Sequence, residues 1–117
     1  MTDKKPEAIS LASLKGMGAL VDGAPIPREI SFTMDNGEEH TCVIHVRRLS
    51  IGEVEKLVAV PNDDRSKAAV TISAAVTLGE GGKEAVSYVV AYQFHPALAS
   101  AMIEAVNEVN GNGPKKS

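Results

Sequence analysis

The chain has 117 residues, 44% of them hydrophobic but only 3% aromatic, and a formal net charge of −3. That length fits one domain whose core must be built from Val, Ile, Leu, Ala and Met. The acidic balance and scarce aromatics argue against a nucleic-acid binder, which needs a basic patch or stacking platforms. A single cysteine, Cys42, rules out an internal disulfide and fits a reducing compartment.

No apolar run approaches the ~20 residues of a membrane span. Lys4-Lys5 followed by Ala8 to Leu20 faintly resembles a signal peptide, but Lys15 interrupts the apolar part and Pro6-Glu7 breaks its junction with the basic residues. A soluble cytoplasmic protein is expected.

Residues 1–7 read as a polar tail. Leu11, Leu14 and Met17 have helical spacing, although Gly16 and Gly18 each weaken a helix by roughly 1 kcal/mol relative to alanine. One short helical turn is expected there. Pro25 and Pro27 then begin an extended segment.

Ile30, Phe32 and Met34 alternate with Glu29, Ser31 and Thr33. A second alternating run sets Cys42, Ile44 and Val46 against Val43, His45 and Arg47. Asp35-Asn36-Gly37 between them signals a hairpin. A two-residue Asn36-Gly37 loop would pair Ile30 with Val43 and scatter the apolar side chains over both faces. A three-residue loop with Gly37 left-handed in a bulge pairs Phe32 with His40 and Ile30 with Cys42. That register gathers the apolar residues on one face, and the buried face sets the register.

Ser50 and Glu53 have capping-box spacing and open a helix through Val54, Leu57 and Val58 that stops before Pro61. Asn62-Asp63-Asp64 forms a turn and caps a further helix with an apolar face of Ala68, Ala69, Ile72, Ala75 and Val76. The β-branched Val70-Thr71-Ile72 also permits a strand; length and alanine content favour helix. Gly79 to Gly82 is a loop, and Lys83 to Ala91 returns to helical spacing through Val86, Val89 and Val90. His95-Pro96 breaks the chain before a last helix with Leu98, Met102, Ala105 and Val109 on one stripe and Ala101 and Val106 beside it. Pro96 suits its first turn, and Asn110-Gly111 suits its end.

The fold class expected is α+β: an N-terminal antiparallel hairpin followed by three to four helices. Residues 1–24 form a flexible N-terminal segment able to hold one short helix, 25–111 a single α+β domain, and 112–117 a disordered tail.

No group of residues reads as a catalytic, cofactor or metal site. His40 and Cys42 share one strand face while His45 points to the other, so three ligands cannot converge. The simpler reading is a hairpin with an interior cysteine and two partly exposed histidines. A Cys42–His40 pair lacks a group to orient the base and an oxyanion hole. Gly79-Glu80-Gly81-Gly82-Lys83 lacks phosphate-loop spacing, and its glutamate would repel phosphate. Glu38-Glu39 and Asp63-Asp64 are adjacent acids without further oxygen donors in pattern. Arg47-Arg48 puts one arginine on each strand face. On the last helix, Ala97, Ala101 and Ala105 leave room for another element to approach closely, from this chain or from another subunit.

The last segment carries a resemblance. Phe94-His95-Pro96-Ala97-Leu98, an apolar helix through Ala105-Val106, and the close Asn107-Glu108-Val109-Asn110-Gly111 resemble the C-terminal end of tail assembly chaperones of long-tailed bacteriophages. Upstream, the hairpin ending Arg47-Arg48-Leu49-Ser50, a helix with Glu53, a helix around Ile72, and the turn before Lys83-Glu84-Ala85 follow in the same order. The resemblance spans roughly residues 28–111.

It implies a non-enzymatic protein of the infected cell's cytoplasm, absent from the finished virion. Such chaperones coat the tape measure protein, keep its apolar helices soluble and hand it to tail tube subunits. They also self-associate, and no nucleic acid, membrane or cofactor is implied. The family's second, longer product made by a −1 frameshift is a further expectation, because Lys115-Lys116 can be encoded as the slippery A-AAA-AAG. Competing readings are another phage structural piece (head–tail joining or tube-associated), a thiol or metal enzyme using Cys42, and, last, a nucleic-acid module.

Overall fold

A computed structural model of the chain describes residues 8–58 and 66–111. The first helix, α1, covers Leu11–Gly16, with the Ser10 hydroxyl accepting from the Ser13 N–H. Strands β1 (Pro25–Thr33) and β2 (Glu39–Arg47) form an antiparallel hairpin. Its register pairs Phe32 with His40 and Ile30 with Cys42, as a three-residue loop requires. Met34 N–H donates to the Glu38 carbonyl, Gly37 N–H donates to the Met34 carbonyl, and Gly37 sits at φ 87°. The bulge therefore forms at the glycine able to take that conformation.

The same bond explains the two prolines. Hydrogen-bonded pairs recur every second residue from Met34, so Ile30 and Ile26 face β2 through their backbone while Pro27 and Pro25 fall between them. At those positions an N–H would point away from β2, so no ladder bond is lost.

Helix α2 (Ile51–Val58) starts on the capping box. Glu53 N–H donates to Ser50 Oγ at 3.3 Å, and Ser50 N–H donates to Glu53 Oε1 at 3.0 Å. The helix end before Pro61 and the Asn62–Asp64 turn lie outside the described residues. Helix α3 (Lys67–Ala75) is capped by Ser66, whose Oγ accepts from Ala69 N–H at 3.1 Å.

The structure corrects the reading at two places beyond α3. Val76 is not the last residue of a helical face: it opens strand β3 (Val76–Leu78), which pairs with β2 through Val46–Val76 and His45–Thr77. Lys83 to Ala91 is not one helix either. After a short 3-10 turn at Glu80–Gly82 come strand β4 (Glu84–Ala85), paired with β3, and helix α4 (Tyr88–Tyr92), capped by Ser87. Last comes α5 (Pro96–Val109). Among the described residues the fold is thus α+β with a four-stranded antiparallel sheet in the order β1-β2-β3-β4 and five helices, strands and helices interleaved rather than hairpin first and helices after.

One sheet face carries the core. Ile30, Ile44, Val46 and Val76 point towards α3 and α5, which supply Ala69, Ile72, Ala75, Met102, Ala105, Val106 and Val109. Leu98 and Ala101 are only half-buried, so the α5 stripe is core along its C-terminal two-thirds. On the opposite face the Glu80–Gly82 turn lies over β2 and β3. A Cβ on Gly82 would stand 2.8 Å from both His45 Cβ and Thr77 Oγ1, so only glycine fits there.

Candidate partner-binding surface

The chemistry-bearing residues stay apart. Cys42 is exposed, not interior, although its cross-strand partner Ile30 is buried: the helix cover on this face falls on Ile30 and Ile44 and leaves the thiol open. His40 stacks on Phe32 with ring centroids 5.6 Å apart, whereas His45 lies on the other face under the Gly82 turn. There His45 Nδ1 and Thr77 Oγ1 are buried without a hydrogen-bond partner. Among the described residues no three His, Cys, Asp or Glu side chains are placed to share a metal ion. Among them, no helix is long and apolar enough to cross a membrane. Glu38 and Glu39 are exposed at the hairpin turn, and Asp63-Asp64 lies outside the described residues.

Three polar residues instead act as joints between elements. Arg47, at the end of β2, donates to the Ala74 carbonyl through Nη2 at 2.6 Å and Nε at 3.2 Å, and pairs with Glu53 Oε2 at 3.1 Å. It satisfies a carbonyl at the end of α3 that the helix itself cannot and fixes the start of α2. The Ser50 backbone N–H first, and the Arg47 guanidinium second, hold the Glu53 carboxyl below its ordinary range.

Asn110 joins the end of α5 to the chain between β2 and α2. Its Oδ1 accepts from Leu49 N–H at 2.7 Å, and its Nδ2 donates to the Arg47 and Val106 carbonyls at 3.3 and 2.9 Å. Gly111 turns left-handed just beyond, at φ 76°. At the other end of α5, His95 Nδ1 accepts from Ala97 N–H at 3.0 Å, so the ring proton sits on Nε2 and bonds Asp35 Oδ1 at 2.9 Å. The hairpin turn is thereby pinned to the start of the last helix.

The described residues also include apolar side chains without cover. Helix α1 buries no residue, and Leu11 is 74% exposed. On α2, Ile51 is 79% exposed and Val54 is exposed beside it, although periodicity alone makes them a core face. On α4, Val89 is 65% exposed, with Val90 and Tyr92 also open to solvent. Surface apolar residues scattered singly need no explanation, but whole helix faces left open mark interaction sites.

Along α5 runs a shallow groove of about 720 Å³, lined by small side chains including Ala97, Ser100 and Ala101, with Ser31 and Ala68 at its sides and Glu104 on its rim. The alanines singled out in the sequence are divided by the fold: Ala105 is buried against the sheet, while Ala97 and Ala101 face this groove.

Among the described residues the domain leaves three apolar helix faces open, on α1, α2 and α4. A family model described as phage tail assembly chaperone, TAC, matches residues 12–110. The chain belongs to that family. No curated protein and no solved structure matches it.

Proposed function

We propose that this chain binds the tape measure protein of a phage tail, keeps it soluble, and recruits tail tube subunits to it. The observation that carries this reading is the set of open apolar faces on α1, α2 and α4, in a member of a tail assembly chaperone family. A tape measure protein presents long apolar helices. Reversible burial of such helices against open apolar faces needs no bond chemistry and is driven by removal of apolar surface from water. The role is therefore non-enzymatic, exercised in the host cytoplasm, with the protein left out of the mature virion. Self-association of copies along the tape measure belongs to the same reading, as does a longer frameshifted product.

The experiment is co-expression with a tape measure fragment. The fragment is expected in the soluble fraction and to co-purify with the chain. An Ile51→Ser, Val54→Ser double variant, altered only at exposed positions, is expected to fold normally and lose the complex. A fragment that stays insoluble beside the unaltered chain would overturn the reading, and abundant chain in purified virions would favour a tail structural component. For the frameshift, codons ending in G at both Lys115 and Lys116 would remove the slippery sequence.

A further inference from the structure

The groove along α5 and the uncovered helix α1 fit each other. Alanine and serine line the groove with little bulk, the form that accepts large apolar side chains from an approaching helix. Helix α1 offers such side chains, with exposed Leu11 and half-buried Leu14 one turn apart and exposed Met17 just beyond.

Charge selects α1 among the three open helices. Glu104 stands on the groove rim, and the adjoining hollow, which shares Ser31, Ala101 and Glu104 with it, adds Glu29 and Glu108. Helix α1 carries one charged residue, Lys15. Helix α2 carries Glu53 and Glu55 against Lys56, which an acidic rim repels, and α4 carries no charge at all. Nor does α1 reach its own groove as the chain is folded. The link from Gly18 to Ala24 is seated against Ile26 and Arg48, at the end of the sheet where β1 begins. The groove reaches instead to Ala97, at the end of α5 that His95 pins to the hairpin turn.

We infer that α1 of one copy docks into the α5 groove of a second copy, with Leu11 and Leu14 over Ala97 and Ala101 and Lys15 against Glu104. The contact joins two different surfaces, so it is heterologous and adds copies head to tail. It deepens the self-association within the proposed function and rests on that part of it.

The test uses two full-length variants, both with Cys42→Ser because that thiol is exposed. One also carries Leu14→Cys and the other Ala101→Cys. Mixed and oxidised, they are expected to give a disulfide-linked heterodimer, and Lys15→Glu in the first is expected to lower its yield roughly fivefold. Glu104→Lys in the second is expected to restore it. No heterodimer from a mixture that sedimentation shows to be multimeric would overturn this interface and leave self-association standing. Within one chain carrying both cysteines, a bond that closes internally at every concentration would overturn it as well. A chain monomeric at all concentrations would overturn both, while soluble recovery of the tape measure fragment would still be decided by its own experiment.

Discussion

Asn110 shows how much of this fold passes through single polar side chains. Its amide supplies an acceptor to Leu49 and donors to Arg47 and Val106, so removing it leaves a part-buried N–H without its partner. Asn110→Ala is expected to cost about 1–3 kcal/mol, measured as a shift in urea unfolding. Glu53 adds a pH dependence whose sign can be worked out. Its folded carboxyl titrates below the ordinary value of 4.5, held by Ser50 and Arg47. The stabilisation is thus complete above the unfolded value and is lost as pH falls through the folded one. Glu53→Gln is expected to flatten this part of the acid limb, with the unfolding midpoint changing less between about pH 5 and pH 3 than in the unaltered chain.

At the scale of elements, the Gly82 turn makes the sharpest prediction. Gly82→Ala must accept a left-handed backbone at φ 69° and a contact of 2.8 Å with His45 and Thr77. A destabilisation of about 2–4 kcal/mol is expected in urea unfolding. The hairpin register was legible because only the three-residue loop, of the two loop lengths open to Asp35-Asn36-Gly37, puts Ile30, Ile44 and Val46 on a common face, and α5 because its stripe is long and its ends are marked. Strands β3 and β4 were not. Val76 continues the apolar spacing of α3, and its strand conformation is decided by Val46 across the sheet, which no local pattern contains. The open faces escaped for a related reason. Periodicity tells which side of α2 is apolar, but not that none of the described residues comes to cover Ile51.

The whole molecule separates what holds it together from what it offers to others. Ile72, fully buried between sheet and helices, and Ile51, open on α2, are the same side chain in opposite roles. Ile72→Ala is expected to cost about 2–5 kcal/mol of stability. Ile51→Ala is expected to change stability by less than about 0.5 kcal/mol while reducing recovery of a tape measure fragment. Thermal or urea unfolding together with the co-expression assay would check both. Equal losses of stability would mean that α2 is core after all.

The place of α5 in the chain has a consequence in time. The inner face of the sheet is made early in the sequence, at Ile30, Ile44 and Val46, but Met102, Val106 and Val109 cover it only some sixty residues later. Closing so long a loop comes late and slowly in folding. Until Pro96 onward has been synthesised, the nascent chain carries an apolar sheet that only α3 can begin to cover, so this chaperone spends its own first moments as an aggregation-prone client. A chain stopped after His95 is therefore expected in the insoluble fraction, and adding residues 96–111 back as a separate peptide during refolding is expected to recover part of it. Full solubility of the stopped chain alone would show that the sheet finds its cover without the last helix.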